Sequence, residues 1–334
     1  MKTAPLCLLL LLLTVGVLVT GLLVGSFETD FSTLRQVLLA YNPDDPAQFA
    51  VVHLRLPRLL LGFLVGGALA FSGYLIQAMV NNPLADPYIL GTASGASLGG
   101  NLAYFGWLPM AGVGLYLPPL FAFAGALGVT LLVVGLAYRK GYIVPTQLLL
   151  GGVAVSSLVT AINSLLAFLS DSEGKLKTIV FWILGSVERA QWSDVPLLCV
   201  VLLGANGLFA FLHKQLGLLL LGESRAYHLG LDVSRLRWLV LVTASLVTGI
   251  AVATAGAIGF VGLMMPHLVR GLQGAAGRWN TLLATWAGGV FIVACDLLSR
   301  LIYPPAGLPI GILTSFVGVP FFLYLLVKKD YRFE

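Results

Sequence analysis

Residues 55–100 read RLPRLLLGFLVGGALAFSGYLIQAMVNNPLADPYILGTASGASLGG, and this stretch decides the fold. Its first half holds an uncharged apolar run at 59–80, about the 20 residues that a helix needs to cross a bilayer. Gly62 and Gly66 recur four residues apart, which lets helix backbones approach each other inside a membrane. The stretch therefore predicts a transmembrane helix packed closely against other helices.

The rest of the chain has the same character. Of its 334 residues, 58% are hydrophobic and 10% are charged, whereas soluble domains carry about 25% charged residues. Apolar runs of crossing length lie at about 6–25, 59–80, 88–108, 112–137, 147–169, 194–212, 238–256, 281–302 and 308–327. The sequence predicts an all-α, polytopic membrane protein, with residues 1–334 forming a single transmembrane domain.

The segment from Ala257 to Leu272 decides the number of crossings. Extending the preceding helix to Leu272 would make it too long for one span, and Gly256, Gly259 and Gly262 interrupt it. We therefore expect a turn near these glycines and about ten transmembrane helices.

The distribution of charge predicts the orientation. With ten crossings and both termini in the cytoplasm, 12 of the 19 Lys and Arg residues lie inside, but only five of the 14 Asp and Glu residues do. This asymmetry obeys the positive-inside rule, so both termini are predicted to be cytoplasmic. The N-terminal run is also compatible with a signal peptide, but it lacks a clear small-x-small cleavage site, and we expect it to be retained as the first helix.

Residues 213–237 form the longest predicted cytoplasmic segment. Its sequence, HKQLGLLLLGESRAYHLGLDVSRLR, mixes a short apolar run with charged residues and is poorly suited to crossing the membrane. We expect short cytoplasmic helices with a turn at Gly230.

Several kinds of chemistry are missing from the sequence. There is no G-x-x-x-x-G-K-[ST] loop for nucleotide phosphates, no HExxH pattern, no pair of intramembrane aspartates and no GxSG serine turn, so we expect neither catalytic residues nor enzyme activity. The net charge of +5 fits cytoplasmic loops better than nucleic-acid binding. Cys7, Cys199 and Cys295 lie in apolar runs and are interpreted as buried hydrophobic residues.

Two interpretations of single residues stay open. His267 follows Met264 and Met265, and it is either a metal or haem ligand or a hydrogen-bonded structural residue, the second being favoured; no metal site is predicted. Ion coupling usually requires an acid or a histidine near the middle of the membrane, whereas Asp86 and Asp296 lie at predicted helix ends. An ion-coupled carrier is therefore disfavoured.

Three stretches carry a family resemblance. Residues 55–100, GAIGFVGLMMPHLVRGL at 256–272 and LPIGILTSFVGVPFFLYLL at 308–326 resemble the FecCD-type permeases of ABC importers for ferric siderophores, haem and cobalamin. The resemblance implies a ten-helix subunit that forms a homodimer around a central path in the bacterial inner membrane. It further implies two cytoplasmic ATPase subunits, which use ATP and Mg²⁺, and a periplasmic binding protein, with no cofactor bound by this chain.

The resemblance also implies roles for particular residues. Arg55, Arg58 and Arg300 would dock the binding protein, although headgroup anchoring, or pairing of Arg300 with Asp296 four residues earlier, is an alternative for these outer positions. The cytoplasmic gate would include Pro145, Thr146 and Gln147, with proline standing where small hydroxyl residues are common. The segment that couples to the ATPase would contain Leu221, Gly222, Glu223, Ser224, Arg225, Ala226, His228, Leu229 and Gly230.

The leading hypothesis is a permease subunit that imports a bulky metal chelate with energy from a partner ATPase. The alternative from another class is an ion-coupled secondary transporter that works without an ATPase. A sensory or scaffold membrane protein is a third possibility, which would move no substrate. Apolar and small polar path linings do not distinguish a siderophore from haem or cobalamin.

Overall fold

The structure is a computed structural model that describes residues 3–25, 29–104, 117–139, 142–143, 145–169, 184–275, 277–304 and 307–327. Most of these residues are helical. The helices are α1 Thr3–Leu23, α2 Phe31–Leu39, α3 Pro46–Ala50, α4 Leu56–Val80, α5 Thr92–Tyr104, α6 Leu117–Ala137, α7 Pro145–Phe168, α8 Val195–Phe211, α9 His213–Leu219, α10 Glu223–His228, α11 Val233–Ala255, α12 Val261–Gln273, α13 Asn280–Ile302 and α14 Ile310–Val327. A π-helical turn, Val51–Arg55, joins α3 to α4, and single 3₁₀ turns occupy Pro87–Leu90 and Trp192–Asp194.

Ten of these helices correspond in order to the ten predicted apolar segments, but they differ in length. Within the described ranges, seven helical segments are long and apolar enough to cross a membrane: Thr3–Leu23, Pro46–Val80, Pro119–Ala137, Gln147–Leu166, Trp192–Phe211, Val233–Ala255 and Asn280–Ile302. Each of α5 and α12 has 13 residues, which at 1.5 Å per residue covers about 20 Å of a hydrocarbon core about 30 Å thick. The polytopic, helical fold is confirmed, while ten full crossings and the side of the termini stay predictions.

One small feature departs from the all-α prediction. Tyr138–Arg139 and Tyr142–Ile143 pair as two antiparallel strands between α6 and α7. This two-residue ladder closes the connection between neighbouring helices and adds no sheet to the core.

Helix α4 lies at the centre of the fold. It packs against α8, α11, α12 and α13, and most of its residues are buried, whereas α1 is largely exposed along its length. Close approach explains its glycines: a Cβ on Gly66 would collide with the carbonyl oxygen of Gly288 in α13, and one on Gly73 with that of Gly262 in α12. The predicted tight packing of small residues is confirmed at Gly66, and Gly73 adds a close contact that was not predicted.

Helices α5 and α6 pack in the same way. A Cβ on Gly95 would collide with the carbonyl oxygen of Gly125, and one on Gly99 with that of Phe121. These contacts run along the two helices in opposite directions, so α5 and α6 form an antiparallel pair.

The predicted break after residue 255 is present. Helix α11 ends at Ala255, Gly256 has a φ of +71°, and α12 begins at Val261. Phe260, which precedes α12, also adopts a left-handed φ of +68°, an unusual conformation for a bulky residue. Gln77 of α4 fixes the start of α12, because its Nε2 donates to the carbonyl oxygens of Gly262 and Leu263 at 3.1 and 3.2 Å.

Candidate functional site

The first candidate site is a cavity of about 320 Å³ into which the three predicted docking arginines converge; it is called here the outer cavity, after the side of the membrane that is predicted for it. Arg55 ends the π turn before α4, Arg58 lies in the first turn of α4, and Arg300 lies in the last turn of α13. Val24, Gly25, Ala50, Leu54, Glu188, Ala190, Leu301 and Pro304 complete its lining. The sequence is thus folded so that residues about 240 positions apart share one opening.

Asp296 joins two of these arginines. Its Oδ1 lies 2.7 Å from Nη2 of Arg58 and accepts a hydrogen bond from Nε of Arg58 at 2.9 Å, and its Oδ2 lies 2.9 Å from Nη2 of Arg300. The side chain of Asp296 is 2% exposed, so the carboxylate is paired with two cations away from solvent. The expected i,i+4 pair between Asp296 and Arg300 is present, and Arg58 extends it to a second helix.

Arg55 and Arg300 also cap the C-terminal end of α1. The last carbonyl groups of a helix have no partner within it, and cationic donors satisfy them well. Nη1 of Arg300 donates to the carbonyl oxygens of Gly21 and Val24 at 3.2 and 3.1 Å. Nη1 of Arg55 donates to the carbonyl oxygens of Leu22 and Leu23, and also to Oγ1 of Thr29.

This structural role was missed from the sequence. Arg55 and Arg300 are buried, whereas the side chain of Arg58 retains 13% exposure. No local pattern signals that Arg55 and Arg300 bind the end of α1, because the contacts join distant parts of the chain. Three guanidinium groups line the cavity, whereas the described residues in and beside it provide only two carboxylates, those of Asp296 and Glu188. The cavity therefore has an excess of positive charge.

The second candidate site is the coupling segment, 221–230. As predicted, it contains a short helix, α10, and a turn at Gly230, which has a φ of +85°. Gly222, which precedes α10, also has a positive φ of +95°, and this was not predicted. Ala226 is fully buried and anchors α10 to the protein, while Tyr227 and Leu229 are 71% and 60% exposed.

Charged residues surround this exposed apolar surface. Glu223, Ser224, Arg225 and His228 are exposed. Glu223 is also held by Arg237 at the start of α11, with Nη2 of Arg237 2.9 Å from Oε2 of Glu223. The short helix is therefore connected to the long helix α11 by an ion pair, and Ala226 buries one side of it.

The predicted gate residues lie at the start of α7. Pro145 is the first residue of this helix, a position that proline favours because its fixed φ suits the first turn. The side chains of Pro145 and Thr146 lie outside the described part of the structure, and Gln147 is partly buried. Their role as a gate stays a prediction.

His267 has an aromatic neighbour. Its ring lies edge-on to that of Phe321 in α14, with 5.9 Å between ring centroids. No group of three or more potential metal ligands occurs within the described ranges. This packing agrees with the structural interpretation of His267.

Two further cavities lie along α7, and the sequence did not predict either of them. The first, of about 260 Å³, lies between α5 and α7 and is called here the amide–hydroxyl cavity; it is lined by Tyr88, Ala93, Ser94, Ser97, Asn101, Ser156, Thr160, Asn163, Ser164 and Ala257. The second, the inner cavity, has about 460 Å³ and is lined by Asp86, Tyr88, Ile89, Gly152, Val153, Ser156, Ser157, Gly259, Phe260, Leu263 and Phe322.

Among the described residues that line the inner cavity, Asp86 is the one acidic residue. Its carboxylate accepts a hydrogen bond from the Tyr88 backbone N–H at 2.8 Å and caps the 3₁₀ turn. Burial raises the pKa of Asp86 to about 6, and the hydrogen bond from Tyr88 opposes this rise. The hydroxyl of Tyr88 accepts a hydrogen bond from the Ile258 N–H at 3.0 Å, which links this turn to the break between α11 and α12.

Comparison with known proteins gives a consistent result. The profile of the FecCD transport family matches residues 9–328. The cobalamin import permease of Halobacterium salinarum is 40% identical over 295 residues, covering 88% of this chain and 78% of that protein. The hemin transport permease of Yersinia pestis is 36% identical over 327 residues, covering 97% and 94%.

A solved structure supports the same grouping. The chain superimposes on an inward-facing, metal-chelate type ABC transporter with a TM-score of 0.79 and 34% sequence identity, covering 96% of this chain and 97% of that one. Together these similarities span nearly the whole length of the chain and include the 13-residue helices α5 and α12. The chain therefore belongs to the FecCD transport family and is a multi-pass membrane permease subunit of an ATP-binding cassette importer.

Proposed function

We propose that this chain forms a homodimeric permease that moves a bulky metal chelate from a binding protein outside the membrane to the cytoplasm. The observation that carries this proposal is similarity along nearly the full chain to permeases named for cobalamin and hemin. The absence of a nucleotide-binding loop from the sequence agrees with an ATPase on separate subunits. The ligand is the cargo of the permease rather than a resident cofactor.

The outer arginine cavity is the proposed docking site for the binding protein. Its excess of positive charge would attract acidic side chains and speed the encounter of the two proteins. Because Arg55 and Arg300 are buried against the end of α1 whereas the side chain of Arg58 retains some exposure, a partner carboxylate would meet the cavity chiefly through Arg58.

The coupling segment is the proposed contact with the ATPase. Tyr227 and Leu229 offer exposed apolar surface beside Glu223, Arg225 and His228, a combination typical of the centre and rim of a protein interface. Since the Glu223–Arg237 pair connects α10 to α11 and Ala226 is buried, movement of the ATPase would be passed to the membrane helices.

The proposed substrate path follows α7. The amide–hydroxyl cavity and the inner cavity share Tyr88 and Ser156, and both include residues of α7. The segment that begins at Pro145, with Thr146 and Gln147, would open and close the cytoplasmic end of this path.

Reconstitution tests the proposed function. The chain, its ATPase and its binding protein would be placed in liposomes, and uptake of radiolabelled chelates would be measured with and without ATP. We expect uptake that requires ATP and is lost with a hydrolysis-deficient ATPase. Uptake by the permease alone, driven by an ion gradient without ATP, would instead establish the secondary-transporter alternative.

A further inference from the structure

The amide–hydroxyl cavity is unusual because it places many neutral hydrogen-bonding groups along two apolar helices. Helix α5 contributes Ser94, Ser97 and Asn101, and α7 contributes Ser156, Thr160 and Asn163. Hydroxyl and amide groups at membrane depth gain nothing from contact with lipid tails, and they turn toward protein or water-filled space. The cavity therefore offers its polar groups to an occupant inside the protein.

Two amides are already oriented within the cavity wall. Nδ2 of Asn101 donates to Oδ1 of Asn163 at 3.1 Å, and Nδ2 of Asn163 donates to the Ser94 carbonyl oxygen at 3.4 Å. Asn101 is 9% exposed, so the pair is held within the wall rather than in open solvent. Fixed donors and acceptors of this kind bind a ligand with little additional loss of side-chain entropy.

The cavity continues toward the cytoplasmic side. It shares Tyr88 and Ser156 with the inner cavity, whose lining reaches Phe322 in α14. Along α7, Gly152, Ser156 and Thr160 follow each other at intervals of four residues, so they lie on one face of the helix. An occupant of the amide–hydroxyl cavity would thus lie on the proposed substrate path.

The charge of the lining restricts what this occupant can be. No charged side chain occurs among the described residues of the amide–hydroxyl cavity, and the described lining of the inner cavity adds one carboxylate, Asp86. A carboxylate group of a ligand would lose its hydration there without meeting a cation, and Asp86 would repel it. Amide, hydroxamate and hydroxyl groups would instead exchange hydrogen bonds with water for hydrogen bonds with the wall.

We propose that the amide–hydroxyl cavity is a substrate subsite that selects metal chelates with an uncharged amide or hydroxamate periphery over carboxylate-rich chelates. This inference rests on the proposed importer function and narrows its substrate class.

Equilibrium binding tests the subsite directly. The nucleotide-free complex of permease and ATPase in lipid nanodiscs would be titrated, without the binding protein, with cyanocobalamin, the ferric complex of the cyclic, uncharged desferrioxamine E, ferric citrate and haemin. We expect the first two probes to bind at least tenfold more tightly than the two carboxylate-bearing probes. Omitting the binding protein ensures that its own selectivity does not enter the result.

Substitutions in the wall separate the subsite from general effects. Thr160→Val removes a hydroxyl with almost no change in shape, and Asn163→Leu removes an amide; each should raise the Kd of the better probe about three- to tenfold. Thr20→Val, an equivalent change on the exposed part of α1, is the matched control and should leave the Kd unchanged. Asn163→Lys should lower the Kd of ferric citrate by supplying a cation.

The outcomes distinguish the two proposals. Equal affinity for all four probes, no probe binding, or Kd values that Thr160→Val and Asn163→Leu leave unchanged in an assembled complex would overturn the subsite. If ATP-driven uptake of a chelate persists in that case, the importer function stands without it. If no chelate is taken up with any binding protein, the importer function itself fails.

Discussion

Asp296 shows how one buried residue can serve two helices. It lies in α13, receives Arg300 from its own helix and Arg58 from α4, and is almost fully enclosed. Replacing one partner of a buried ion pair costs more than the pair itself contributes, because the remaining charge is left in a poorly solvated place. This carboxylate should therefore matter more for stability than surface ion pairs do.

We predict that Asp296→Asn destabilises the protein by about 3 kcal/mol, because the buried guanidinium group of Arg300 and the partly buried one of Arg58 lose their counter-charge. Thermal unfolding of the detergent-purified chain would measure the loss. Asp232→Asn is the matched control, since Asp232 pairs with Arg235 on the surface and its loss should cost less than about 1 kcal/mol. Equal effects of the two changes would contradict the structural role of Asp296.

Arg58 is the residue with which to test docking. Reversing all three arginines would also remove the partners of the α1 carbonyl groups, so a single change at the most accessible arginine is more informative. We predict that Arg58→Gln weakens binding of the loaded binding protein about tenfold at low salt, with a smaller difference at high salt because the attraction is screened.

The control for docking is Arg35→Gln. Arg35 is an exposed arginine of α2 that does not line the outer cavity. Surface plasmon resonance on the nanodisc-embedded complex would measure both variants. A similar loss for both would mean that general outer charge, rather than the cavity, attracts the partner.

At the level of elements, the contact between α4 and α12 depends on the absence of a side chain. Gly73 faces the backbone of Gly262, and backbone atoms have no freedom to move aside as a flexible side chain would. We predict that Gly73→Ala lowers the free energy of unfolding by about 1–3 kcal/mol, the usual cost of overpacking.

The control for this contact is Gly128→Ala in α6, where a Cβ would meet nothing within 4 Å. Alanine favours the helix over glycine by up to about 1 kcal/mol, so this variant should be neutral or stabilised. Urea or thermal unfolding of both purified variants would measure the difference. A stable Gly73→Ala protein would show that α12 is free to move away from α4.

The elements also show what the sequence could and could not predict. Clustered glycines and the limit on span length correctly predicted the break near Gly256. The mixture of apolar and charged residues correctly predicted the short helices of the coupling segment, and both predictions follow from local sequence. The left-handed Phe260 was not predictable, since its position depends on packing against Gly318 of α14, where a Cβ would collide with its ring. The sequence also did not predict the arginine contacts with α1, the amide–hydroxyl cavity or the inner cavity, because each depends on packing between distant parts of the chain.

For the whole molecule, the orientation in the membrane is predicted from the unequal distribution of Lys and Arg residues between its two sides. Glu188 of the outer cavity precedes α8, and the coupling segment follows it. If α8 crosses the membrane once, the two sites lie on opposite sides. We predict that Ser224→Cys reacts with a membrane-impermeant maleimide from the cytoplasmic side, whereas Glu188→Cys reacts from the outside. Both residues are exposed, and labelling of intact and inverted vesicles would compare them.

The labelling needs a chain in which Cys7, Cys199 and Cys295 have been replaced by alanine. That parent protein without any cysteine provides the background signal. Reaction of both new cysteines from the same side would overturn the predicted topology, including the cytoplasmic location of the termini.

The contacts of α1 also fix an order of events during synthesis. The carbonyl oxygen of Gly21 receives its hydrogen bond from Arg300, 279 residues later in the chain. Helix α1 is therefore synthesised long before α13, and until Arg300 arrives the Gly21 carbonyl group must be satisfied by water or lipid headgroups. A truncated chain that stops before α13 would keep the contacts of Arg55 with the end of α1 and lose those of Arg300.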